Sequence, residues 1–491
     1  MRKTLLIGFV LVLFSCAKSG DVIVVEDPSI PEEAPFMPGQ MVVKVTQELC
    51  HSLEANIGEN GEVRLSDVAE LRDVAETIGI HSFERLFIPA GAFEDRSRKE
   101  GMHLWYQMAF DSSFPIGEAK RLVEAHPGIS VVECDPLRRL YDDTEVEYVS
   151  PNGVALADAP FNDPLLYRQW HYYNDGLRPN AQSACDINVF PLWKEGVSGR
   201  ADVIVCVVDG GVDNTHEDLA GNIWENPEVP GSFGYNFCEG SYRVTPDNHA
   251  THVAGTIAAI NNNGLGVCGI AGGDAAKGIP GVKIMSCQIF TGLESVGSPA
   301  AAIKWGADHG AVICQNSWGY PELEETPESV KAAVDYFVKY AGLDAEGVQT
   351  GPMAGGLVVF AAGNERRMAS SSIYESILNV TSIGAGFTKA SYSNWGSFAD
   401  LAAPGGDKPN YVLSTLPGNH YGWMAGTSMA CPHVSGVAAL VVSACGGPGF
   451  TAAELRNRLE QTARDISAYN PDHYLGHGLV DAASAVLYTA D

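Results

Sequence analysis

Basic side chains are scarce in this sequence. Lys and Arg together number 31 against 60 Asp and Glu, which leaves a formal charge of −29 over 491 residues. Nucleic acid and anionic membrane surfaces are recognised by clustered Lys and Arg, so neither is expected as the main partner. Charge of either sign is modest, at 19% of residues, while 45% are hydrophobic. That is ordinary globular composition with material for a large core, in a chain too long for one small domain. The amino end lacks an apolar run of membrane-spanning length. Arg2 and Lys3 precede ten apolar residues, Leu5 to Phe14, where a span needs about 20. Residues 1–15 therefore read as a leader that takes the chain out of the cytoplasm.

The chemistry is concentrated late in the chain, in GWMAGTSMACPHVSGVAAL at 422–440. Small residues Ala425, Gly426 and Thr427 lead to Ser428, and Val434 to Val442 reads as a buried helix. Ser428 is thereby placed at a helix start, where unpaired N–H groups and the positive dipole end favour a developing negative charge. Pro432 is expected within the first helical turn, which needs no proline N–H. An unassisted hydroxyl is a poor nucleophile and needs a base, itself oriented by a carboxylate. Upstream, the β-branched run Val203–Val208 reads as a buried parallel strand that ends at Asp209-Gly210-Gly211. Open α/β sheets hold their ligands at such carboxyl ends. A helix-like run of small residues begins at His249, and a further apolar strand from Gly356 ends at Asn364.

Asp209 with its glycines, His249 in HATHVAGT, Asn364 in AAGNE and Ser428 in GTSMACPHVSG resemble, in that order, the motifs of the subtilisin-like serine proteases. The similarity covers roughly residues 162–487. It implies that Ser428 attacks a peptide carbonyl, that His249 moves the proton, that Asp209 orients the ring, and that the Asn364 amide and Ser428 N–H hold the oxyanion. Two positions depart from the family pattern, Gly210 after the aspartate and Ala250 after the histidine. Neither removes a reacting group. The fold implied is α/β, a doubly wound, mostly parallel sheet. The apolar runs at 203–208, 282–290, 311–316, 357–362 and 380–384, separated by helical or loop segments, agree with it.

Ahead of this region, 41–140 reads as a small α+β unit of β-α-β-β-α-β order, hence ferredoxin-like. Its strands are 41–45, 83–86, 103–110 and 131–134; its helices are 67–78 and 116–125. Its position resembles that of the family's inhibitory prodomain, whose tail fills the active cleft until it is cut. Residues 141–160, acidic and then rich in Pro, Gly, Ala and Asn, form the expected processing linker, and 161–491 the catalytic domain. Residues 16–40 read as a solvated tether. Leu13-Phe14-Ser15-Cys16 resembles a bacterial lipoprotein signal, which implies lipid on Cys16 and attachment to a membrane, unless processing releases the enzyme.

The resemblance implies further sites. Ser317, Trp318 and Gly319 would pair with an extended substrate, and the first specificity pocket would end around Ser371, Ile373 and Tyr374. No cofactor is needed for the chemistry. A structural calcium ion is implied at Asp218, the Asn-rich loop around Asn262, and Asp163. A helix at 325–340 and a loop at 342–355 read as surface elaborations. Of eleven cysteines, Cys206, Cys287, Cys314 and Cys445 lie in apolar runs and look like small hydrophobes. A metallohydrolase built on His249, His252 and Asp209 is the rival enzyme class, since i and i+3 share a helix face; a catalytically dead binding lipoprotein is the other alternative.

Overall fold

The computed structural model describes residues 36–489 except 58–61, 142–145, 154–157, 370–373 and positions 293, 296, 322 and 324. The leader, Cys16, most of the tether, and Ser371 and Ile373 lie outside the described residues.

Seven parallel strands form the main sheet, in the spatial order Leu401–Pro404, Ile377–Ile383, Leu357–Ala361, Ile313–Asn316, Ile204–Asp209, Lys283–Gln288, Gly234–Asn236. Both faces are apolar because successive side chains alternate. Val205, Val207, Ile313 and Val359 pack with the helices Asn248–Ala258 and Thr427–Cys445. Cys206, Val208, Cys314 and Phe360 pack with the helices Pro299–Asp308 and Glu328–Tyr340 on the other side. A strand wetted on neither face needs no polar alternation, which is why these runs are continuous in sequence. After Ile204–Asp209 the chain forms the outer strand Gly234–Asn236, fills the gap with Lys283–Gln288, and then builds outward strand by strand on the other side. Asp209 therefore ends in the crevice where such sheets bind ligands. The doubly wound expectation holds. The short strands 234–236 and 401–404 were not foreseen from hydropathy.

Four antiparallel strands form a second sheet, in the order Ser82–Arg85, Trp105–Ala109, Phe36–Val45, Ile129–Pro136. With the helices Arg72–Ile78 and Ile116–Glu124 this is the ferredoxin-like arrangement. The first helix is shorter than the spacing suggests, because two 3-10 turns occupy Leu65–Asp67 and Ala69–Leu71. Helices Gln47–Glu54 and Glu94–Lys99 are additional. This unit lies along the two helices 299–308 and 328–340: Val42, Leu86, Phe87 and Trp105 share one apolar cluster with Ile303, Val330 and Phe337. Pro327 offers the second helix no cap, and Glu133 from the small unit accepts the N–H groups of Glu328 and Ser329 instead.

The ten described cysteines are free thiols. Cys206 and Cys314 face each other in register on adjoining strands, fully buried, as small hydrophobes; Cys445 is only partly buried.

Candidate active site

The histidine helix starts where Asp247 caps it, its side chain accepting from His249 N at 2.8 Å and Ala250 N at 3.3 Å. His249 Nδ1 lies 2.8 and 3.0 Å from the two oxygens of Asp209, and both side chains are buried. A carboxylate there fixes the tautomer with Nδ1 protonated and leaves Nε2 to move a proton. Asp247 is a second, half-buried acid beside the pair. Burial and the Asp209 charge push its carboxyl up, against the pull of His249. The glycine at 210 follows from it: a β-carbon there would meet the Asp247 carboxylate at 2.7 to 2.8 Å. The departure at Gly210 thus makes room for Asp247, a residue whose cap role the sequence motif did not reveal. His252, the rival's second ligand, turns its Nε2 to the carbonyl of Val412 at 3.1 Å and does not converge with His249.

Ser428 is the second residue of Thr427–Cys445. Its Oγ donates to the Ser317 carbonyl at 2.7 Å, and the Ser317 hydroxyl donates back to the Ser428 carbonyl at 2.8 Å. The second bond has a cause further along the helix. Pro432 is the sixth helical residue, beyond the first turn, contrary to expectation, and its missing N–H orphans the carbonyl four residues back. That carbonyl belongs to Ser428, and Ser317 satisfies it. Gln315 steadies Ser317 by donating to its Oγ at 2.6 Å. Ser317 follows the strand that adjoins the Asp209 strand, so the serine bonded to it and the His–Asp pair are carried to the same edge of the sheet.

Asn364 enters from the next strand. Gly363, at φ +97, turns the chain after Ala361 as a side-chain-bearing residue rarely could. Asn364 Oδ1 then accepts from Thr427 N at 3.0 Å and Thr427 Oγ1 at 2.8 Å. The amide orientation is thereby fixed, and its buried Nδ2 finds no acceptor among the described residues. A buried donor left unmatched is rare, and this one lies beside Ser428 at the helix N-terminus.

A peptide already lies across this site. Leu140 and Arg139 pair antiparallel with Trp318 and Gly319, and Ser428 N donates to the Tyr141 carbonyl at 3.1 Å. The Tyr141 side chain is buried in a pocket lined by Phe360, Ala362, Glu365, Arg367 and Asn379. Gly319 admits it, because a β-carbon at 319 would lie 2.3 Å from the tyrosine oxygen. Tyr374, expected at the pocket bottom, instead gives its hydroxyl to Asp335.

The expected metal residues divide. Asp163 accepts from Asn262 N at 2.7 Å and Asn263 N at 3.3 Å; Asp218 accepts from Asn263 Nδ2 at 2.7 Å and Val267 N at 3.0 Å. Burial pushes the Asp163 carboxyl up to about 6; burial and the neighbouring Asp163 charge hold Asp218 well above the carboxylate range. The Asn262 side chain points elsewhere, donating to Asp274 at 2.7 Å and accepting from Asn162 N at 3.3 Å. Asn263 takes the place expected of it, one position on in the loop. Two buried carboxylates are hard oxygen donors of the kind calcium takes. Among the described residues no group of three or more His, Cys, Asp or Glu converges.

A profile of the subtilase family matches residues 200–478. An extracellular basic protease of Dichelobacter nodosus is 34% identical over 414 residues, 76% of this chain, which spans 62% of that protein's length. A thermophilic serine proteinase of Bacillus sp. (strain AK1) is 32% identical over 357 residues, 72% of this chain and 75% of its own. Fervidolysin of Fervidobacterium pennivorans, described as a keratinolytic enzyme related to subtilisin, matches in structure with a TM-score of 0.62 at 24% identity, covering 94% of this chain and 62% of its own; that likeness is one of fold. A family match over more than half the chain, laid on this geometry, makes the chain a member of the subtilases.

Proposed function

We propose that the chain is an exported serine endopeptidase made as a self-inhibited precursor. On this reading Ser428 Oγ leaves the Ser317 carbonyl, gives its proton to His249 Nε2 and attacks a peptide carbonyl. Asp209 stabilises the imidazolium; Asn364 Nδ2–H and Ser428 N–H hold the oxyanion. The proton then passes to the leaving amine, and water repeats the cycle on the acyl-enzyme.

The observation that carries the reading is the tail Arg139-Leu140-Tyr141: it pairs as a substrate strand would, with its last carbonyl on the Ser428 N–H. Residues 36–141 then act as the inhibitory prodomain, and the bond cut in maturation is Tyr141–Asp142, at the first position of the expected linker. Tyrosine is correspondingly a preferred residue before the cleaved bond. A fluorophosphonate probe should label the matured chain at Ser428 and fail on Ser428→Ala, and N-terminal sequencing should begin at Asp142. A matured, folded sample that resists the probe refutes the serine mechanism; a different first residue refutes the assignment of the cut.

Two finer readings accompany this one. Asp163 and Asp218 would hold a calcium ion, which would neutralise two carboxylates that burial disfavours. Lipid on Cys16 would leave the anchor with the prodomain, so that cutting after Tyr141 frees the enzyme. Fractionation that finds the processed catalytic fragment on membranes without its prodomain contradicts the second.

A further inference from the structure

Arg96, in the connection between the second and third strands of the small unit, is buried against the catalytic body. Its Nε donates to Tyr336 Oη at 2.8 Å, Nη1 to the carbonyls of Leu343 and Asp344 at 3.0 and 3.1 Å, and Nη2 to Asp308 Oδ1 at 3.0 Å. The Phe93 ring covers the guanidinium at 3.9 Å.

The receiving groups belong to the catalytic body and hold one another. Asp308 also accepts from Tyr336 at 2.7 Å and from Lys304 at 2.6 Å. The loop bearing the two carbonyls is tied by Asp344, whose N–H donates to the Val348 carbonyl at 2.9 Å and whose Oδ1 accepts from Val348 N at 2.8 Å. These bonds do not involve Arg96, so they tie the receiving groups to one another independently of the arginine. It is a socket for a planar fork of donors: one carboxylate, one phenol and two carbonyls suit a guanidinium, whereas an ammonium cannot reach all four.

Its place in the fold gives it a purpose. Strands in this sheet end at the catalytic edge, and the helices return, so Asp308, last in its helix, lies at the opposite edge. Ten helical residues separate the edges by about 15 Å. The small unit is thus fastened at both ends, by its tail in the cleft and by Arg96 at the far side. Cutting after Tyr141 loosens only the first fastening.

Resting on the reading of residues 36–141 as an inhibitory prodomain, we propose that Asp308, Tyr336 and the carbonyls of Leu343 and Asp344 form a guanidinium-binding exosite. Arg96 fills it in the precursor and retains the prodomain after the cut. Once the prodomain departs, the site takes an arginine of an incoming polypeptide.

The test uses the full chain, allowed to process itself, with loss of the cleaved fragment followed by size-exclusion chromatography and by the rise of peptidase activity. Arg96→Ala should release the fragment about 100-fold faster or more, as befits truncation of a buried charged contact. Arg96→Lys, which keeps the charge and loses the fork, should fall between and decides the matter if the alanine variant does not fold. Glu100→Gln, which removes the half-exposed contact with Lys339 and Tyr340, should change release by less than about fivefold. Ethylguanidinium should accelerate release from the wild type more than ethylammonium at equal concentration. Equal release from wild type and both Arg96 variants overturns the exosite. A wild type that is never cut, or whose fragment does not inhibit, overturns the prodomain reading instead.

Discussion

Gly319→Ala tests the substrate pocket directly. The added carbon would stand 2.3 Å from the oxygen of Tyr141, 2.5 Å from Cε2 and 2.7 Å from Cζ, whereas carbon contacts settle at about 3.5–4.0 Å. The ring must therefore retreat by about 1 Å or leave the place that Gly319 opens for it. A tyrosine side chain buries about 150–200 Å², worth about 4 kcal/mol at 25 cal/mol/Å². Losing most of it slows capture by two to three powers of ten, since each 1.4 kcal/mol is about tenfold. Two assays read it: self-processing of the full chain, and kcat/KM on paired peptides with Tyr or Ala before the cleaved bond. The tyrosyl substrate should lose about 100-fold or more while the alanyl one stays within about threefold, so the ratio separates a blocked pocket from a damaged enzyme. Undiminished processing after Tyr141, or equal losses on both peptides, refutes the pocket assignment.

Other expectations follow from the same geometry. Asn364→Ala removes a preorganised donor and should cost about 3 kcal/mol in kcat with KM little changed; a KM effect alone would show that Asn364 only binds. His171, His252 and His433 are fully buried, and burial lowers their affinity for protons, to about 3 for His252 and His433. A folded value below the unfolded 6.5 means that stability is complete above about pH 6.5 and is lost as pH falls toward 3, about 2 kcal/mol for each of these two at pH 5. Asp163, raised to about 6, opposes this as it takes up its proton. Urea midpoints should therefore fall between pH 7 and 5, and His433→Gln should flatten the slope by up to about 1.4 kcal/mol per unit; an unchanged slope counts against the buried-histidine account. Calcium should raise Tm and a chelator lower it, both effects vanishing in Asp218→Asn; no response to either removes the calcium reading.

Much of the site was legible because its chemistry is tied to local features. A strand end, a helix start and a small-residue stretch mark Asp209, His249, Asn364 and Ser428 by neighbours a few positions away, and periodicity marks the sheet that carries them. What stayed hidden depends on residues far apart in the chain. Pro432 reads in sequence as an ordinary first-turn proline, but its cost falls on the Ser428 carbonyl and is met by Ser317, 111 residues upstream. Gly210 departs from the motif in sequence, and the structure sets Asp247 against it. Asn263 rather than Asn262 reaches Asp218, since loop spacing alone does not say which amide turns inward.

Sequence by itself determined which groups could react and in what order they occur, since acid, base, amide and alcohol each sit in a short stretch whose conformation its own neighbours dictate. Only the tertiary structure decided what those groups hold. Tyr141 in the cleft and Arg96 in its socket are contacts closed across about 180 to 290 residues of chain, and the free energy of such contacts depends on complementary surfaces that no local pattern encodes.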